Sequence, residues 1–205
     1  MKGMKMKKLL IVLSAVFLLT GMLSCTPKKA KPLEISEEEA LEVLKELVPK
    51  SYEINEIFFG KGLPNDGSET VDGTKYVAVD HEKSKYLSVE AIKAAAEAVY
   101  SSRYLSSVYV PMFEGSASSS EDGLLDNDLS PRYKLIAGVL HIDTSYAAFN
   151  IANMMHIDSV KIIKKTAEYV ELEGTGTDSM EQTFVRRFFI TLENSGVWRL
   201  DSPTY

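Results

Sequence analysis

Apolar residues recur at helical spacing in the first half of this chain and at alternating spacing in the second. Ala40, Leu41, Leu44, Leu47 and Val48 fall three or four apart and so line one face of a helix. Ser36 and Glu39 set an S-x-x-E capping box in front of them, with Ile35 placed as a hydrophobic staple. Pro49 predicts the end of that helix, because proline lacks the N–H that the next turn needs. The stripe Val89, Ile92, Ala95, Ala96 and Val99 predicts a second helix from Ser88. Ser101-Ser102-Arg103-Tyr104-Leu105 starts a third, short one, running to about Pro111. Between the first two helices, residues 57–64 (IFFGKGLP) read as a strand or extended segment that turns sharply, and residues 76–79 as a short strand.

From Arg132 the period changes to two. Residues 133–136 and 139–142 read as strands around Ala137-Gly138, and residues 160–166 and 169–173 as two more. The run 174–179 (GTGTDS) reads as a turn, residues 182–193 as the longest strand, and Asn194-Ser195-Gly196 as the turn into a closing strand, 197–200. Trp198 is expected to be buried there. Helices first and strands afterwards predict an α+β fold: N-terminal helices packed on a curved antiparallel β-sheet, a meander, in a single domain over 36–205. A domain of this size buries roughly 70% of its unfolded surface.

The first 35 residues change the compartment. Lys2, Lys5, Lys7 and Lys8 precede a short apolar run, and Leu23-Ser24-Cys25 follows. This is an export signal, too short in its apolar part for a spanning helix, which needs ~20 residues. Met22-Leu23-Ser24-Cys25 resembles the bacterial lipobox, in which the chain is cut before the cysteine and its thiol is lipidated. That resemblance implies a lipoprotein signal peptide over 1–24 and lipidation at Cys25, the only cysteine in the chain. The protein would then sit on the extracytoplasmic side of the cell membrane, or on the outer membrane of a diderm organism. Residues 25–35, with Lys28, Lys29, Lys31, Pro27 and Pro32, read as a tether: a solvated spacer, or one whose lysines meet anionic headgroups. Losing the four lysines of the signal takes the formal charge from −6 to −10. So acidic a domain argues against nucleic-acid partners.

Candidate chemistry is sparse. No Walker or dinucleotide fingerprint, no G-x-S-x-G elbow, no H-E-x-x-H and no Cys/His zinc spacing occurs, so the sequence asks for no cofactor and does not read as an enzyme. His141-Ile142-Asp143 and His156-Ile157-Asp158 repeat H-x-D. On strands, i and i+2 share a face, so these four donors would either converge on a metal or sit on strands without one. His81 reads as a surface residue. Residues 114–130 (EGSASSSEDGLLDNDLS) form a long acidic stretch with three readings. Glu121, Asp122, Asp126 and Asp128 with the apolar pair Leu124 and Leu125 would bind a partner; the aspartates would hold calcium, though without EF-hand spacing; or the stretch is disordered padding.

Three stretches together resemble the IseA-like family of bacterial cell-envelope proteins, inhibitors of cell-wall DL-endopeptidases. They are the first helix leading into residues 48–50 and 56–64 (EIFFGKGLP), residues 88–105, and the ending 196–205 (GVWRLDSPTY). The resemblance implies an α+β domain that inhibits a peptidoglycan hydrolase of NlpC/P60 type by occupying its cleft. A lipid anchor departs from the secreted inhibitor. The alternative is a passive ligand-binding or scaffold lipoprotein with a cystatin- or NTF2-like domain.

Overall fold

The helix that opens the domain does not stop at Pro49. In the computed structural model of the protein, which describes residues 30–70, 74–115, 130–149 and 154–205, helix α1 spans Glu37–Phe58 with Pro49 inside it. Its start is as the sequence predicts: Ser36 Oγ accepts from Glu39 N at 3.1 Å and Glu39 Oε2 accepts from Ser36 N at 3.0 Å. An interior proline costs about 3 kcal/mol. Beyond it, however, Ser51, Ile54, Asn55, Ile57 and Phe58 all continue the buried face. Burying Ile54, Ile57 and Phe58 contributes roughly 1.5–3 kcal/mol each, which outweighs the proline. The apolar run 57–59, expected to be extended, is therefore the last turn of this helix and its cap.

Helices α2 (Val89–Glu97) and α3 (Ser102–Tyr109) follow, N-capped by the side chains of Ser88 and Ser101, and a π-turn at Val110–Glu114 closes the helical part. The strands are all antiparallel and divide between two sheets where the alternation suggested one. The first contains β1 (Asn65–Thr70), β2 (Tyr76–Val79), β3 (Tyr133–Ile136) and β4 (Val139–Asp143), in the order β1-β2-β4-β3. The second contains β5 (Met155–Lys165), β6 (Val170–Asp178), β7 (Thr183–Leu192) and β8 (Trp198–Leu200) in sequential order, and this one is the expected meander. The architecture is α+β, and residues Pro32–Tyr205 form one compact unit. Strand β1 lies in the polar stretch NDGSET, which carries no apolar alternation to announce it.

Two details of the second sheet correct the sequence reading. Gly174 and Gly176, read as a turn, lie within β6. A Cβ on Gly174 would stand 2.7 Å from the Phe188 ring, and one on Gly176 only 1.9 Å from the His156 carbonyl oxygen. These glycines mark close approach between strands, not a reversal. Trp198 is only partly buried; the closing strand is anchored by Leu200, which is fully buried and joins Tyr100 through a parallel bridge. Helix α1 lies against β5 and β8. Leu44, Leu172, Phe188, Ile190 and Leu200 belong to one buried apolar cluster.

Candidate functional site

The partner-binding residues expected from sequence, Glu121, Asp122, Leu124, Leu125, Asp126 and Asp128, lie outside the described residues, as does Cys25. The two H-x-D pairs are described, and they do not converge. His141 and Asp143 are on β4 of the first sheet, His156 and Asp158 on β5 of the second. Asp143 is buried and accepts from Ser145 N at 2.8 Å and Ser145 Oγ at 2.7 Å, with Lys75 Nζ at 3.7 Å. His141 Nδ1 lies 2.8 Å from the Val139 carbonyl. His156 is exposed, 3.4 Å from Asp158. Among the described residues no three His, Cys, Asp or Glu side chains are grouped to hold a metal ion. His81 is exposed, as expected.

The junction of α1 with the first sheet is the most strongly built polar feature. A helix leaves its last carbonyls without partners, and α1 has no basic residue in its last turn. Arg132, 2% exposed, supplies the cation from the start of β3: Nη1 donates to Phe58 O at 2.8 Å and Nη2 to Gly60 O at 2.6 Å. A cation at this end also complements the helix dipole. The guanidinium carbon lies 5.9 Å from the Tyr133 ring centre and 5.5 Å from that of Tyr146. Tyr133 Oη donates to Ile57 O at 2.9 Å and accepts from Leu63 N at 3.0 Å. Gly62, at φ +82°, passes so close that a Cβ would stand 2.9 Å from both Arg132 Nη2 and Tyr133 Oη. The Gly60–Pro64 turn is thus fixed by the first sheet. Beside it, Ile57, Leu63 and Tyr86 line a groove of about 250 Å³ whose rim carries Glu53, Glu56, Lys83 and Lys85, with Glu53 and Lys85 paired at 3.1 Å.

A second buried polar cluster ties the chain's last residues to α1. Thr204 Oγ1 is 2.5 Å from Ser51 Oγ and accepts from Asn55 Nδ2 at 2.8 Å, while Tyr100 Oη donates to Asn55 Oδ1 at 2.6 Å. Burial, chiefly, pushes Tyr100 and Tyr133 up to about 12, so both remain neutral donors near pH 7. An unfolded tyrosine titrates near ~10. Because the folded values are raised, these tyrosines contribute their full stabilisation below about pH 10 and lose it as pH climbs towards 12. Alkaline unfolding, followed by near-UV circular dichroism, is therefore expected to set in above about pH 10. A signal unchanged beyond pH ~12 would contradict this burial.

The surface of α1 offers a different kind of feature. Next to its buried stripe, Val43 and Leu47 meet the β7–β8 turn, where Gly196 at φ +79° reverses the chain and lays Val197 and Trp198 alongside. Two adjoining openings of about 240 and 440 Å³ share Val43 and Trp198 and form one groove. Its floor is apolar, with Val197 43% exposed. Its rim carries Glu38, Glu42 and Glu46, four residues apart on the helix, with Glu39 beside Glu38. Lys50, at 2.7 Å, holds Glu46 below the usual carboxylate range. Arg199 closes one end, its Nε donating to Glu97 O at 2.7 Å and its Nη1 to Trp198 O at 3.0 Å. Sequence reading missed this groove, although its signal was present in the glutamates interleaved with the apolar stripe and in the single tryptophan. No family model matches the chain, and no curated protein is similar to it.

Proposed function

We propose that this protein is a membrane-anchored extracytoplasmic binding protein that restrains a cell-wall peptidoglycan DL-endopeptidase of NlpC/P60 type. The observation that carries the binding reading is the groove between α1 and the β7–β8 turn, where Val197 is exposed and Trp198 only partly buried inside an acidic rim. Exposed apolar surface edged by charge is what a docking protein presents to its partner. The lipobox-like Cys25 supports a place at the envelope, and the acidic domain supports a basic partner. Where a cystatin- or NTF2-like ligand module would open a pocket, between helix and sheet, Leu44, Leu172, Phe188 and Ile190 are buried together, which favours a partner surface over an internal ligand. Turbidity of purified cell walls tests the reading. The protein is expected to slow clearing by an NlpC/P60-type hydrolase in proportion to its concentration. Clearing at the unaltered rate, with the protein in excess, would overturn it.

A further inference from the structure

We propose that the groove between α1 and the β7–β8 turn receives a lysine- or arginine-bearing segment of a protein partner, with a cationic side chain over Trp198 and apolar neighbours on Val43 and Val197. The inference rests on the partner-binding reading and adds the chemistry of the occupant. Three observations lead to it. First, the floor is apolar and open: Val197 is 43% exposed, and Trp198 is partly exposed although an indole gains much by burial. Second, the face of an indole is the best aromatic platform for a cation. Third, the rim carries Glu38, Glu39, Glu42 and Glu46 against one arginine. That arginine, Arg199, donates to the carbonyls of Glu97 and Trp198.

The lysines already near the rim do not fill the role. Lys45 reaches Glu42 at 3.3 Å and Lys50 reaches Glu46 at 2.7 Å, both as exposed pairs within the helix. Such pairs are weak and exchange readily for an incoming cation. Charge alone would select any polycation, but the valine floor requires apolar side chains in the same segment. The same rim repels nucleic acid and anionic headgroups. Because rim charges act mostly on encounter, the glutamates set the association rate and the indole and valines hold the complex.

Trp198 is the chain's only tryptophan, so its emission reports this groove alone. The full chain, held in mild detergent, is titrated with the peptide Lys-Leu-Lys-Leu-Lys and, separately, with Glu-Leu-Glu-Leu-Glu. The basic peptide is expected to shift Trp198 emission saturably, and the acidic one to leave it unchanged. Glu38→Gln with Glu42→Gln should weaken the basic peptide about tenfold, as should Val197→Asn, which removes the apolar floor without adding charge, with the circular dichroism spectrum intact. A silent emission with the basic peptide, or an equal response to the acidic one, overturns the assignment. So does a shifted emission, before any peptide, when Lys28, Lys29 and Lys31 are all replaced by serine, since the chain's own tether would then be the occupant. If the NlpC/P60-type hydrolase binds while Trp198 stays silent, the groove assignment fails and the partner-binding reading stands. If the peptide binds and the hydrolase does not, the groove stands and the hydrolase is the wrong partner.

Discussion

Arg132→Ala is expected to destabilise the domain by about 3–5 kcal/mol, read as a lowered urea midpoint at unchanged slope. The substitution leaves Phe58 O and Gly60 O buried without their donors. Each such loss costs roughly 1–3 kcal/mol, and removing a side chain only 2% exposed adds a cavity. It also removes a cation placed against the end of a helix that has no basic residue in its last turn. Arg132→Lys keeps the charge but lacks the fork that reaches two carbonyls at once, so about half the loss should remain. If Arg132→Ala moved the midpoint by less than the equivalent of about 1 kcal/mol, the guanidinium would not be what fixes α1 to the first sheet.

Gly176→Ala is expected to cost at least about 3 kcal/mol, although it adds a single methyl group. The added Cβ would lie 1.9 Å from the His156 carbonyl oxygen and 3.0 Å from the Ile157 Cα. Those atoms belong to the paired strand β5, so the register itself would have to open. Gly174→Ala meets the edge of the Phe188 ring at 2.7 Å instead, and a ring can shift where a paired backbone cannot. Its cost should be smaller, about 1–3 kcal/mol. Equal melting temperatures for Gly176→Ala and the parent would mean that β5 and β6 do not approach as closely at this point as described.

Much of this fold was legible because local chemistry and global packing agree. The capping box at Ser36, the N-cap serines Ser88 and Ser101, and the alternation from Tyr133 onward each gave the element that forms. The misreadings share a physical cause. Pro49 is a local signal, and the buried residues beyond it are a tertiary one; the tertiary one wins, so α1 runs on to Phe58. Gly174 and Gly176 look like turn residues until the partner strand that crowds them is known. The division into two sheets depends on pairings between distant segments, such as Tyr76 with Asp143, which no periodicity encodes. The site was less legible than the fold. H-x-D repeats draw the eye, but Asp143 is held by Ser145 and Lys75, on another sheet from His156. The groove is assembled from a helix face and a turn more than 140 positions apart in sequence, and its partly exposed Trp198 reads from sequence as core.

The central claim is that this acidic domain binds and restrains a cell-wall hydrolase. Its most direct test is calorimetric titration of the catalytic domain of an NlpC/P60-type endopeptidase into the protein at low and physiological ionic strength. The account predicts saturable one-to-one binding that weakens as salt rises, because the glutamate rim is exposed and is screened within ~8 Å at physiological ionic strength. It predicts the same weakening at constant salt when Glu38 and Glu42 are replaced by glutamine. No heat of binding at low salt, from a hydrolase that still digests cell wall, would contradict it.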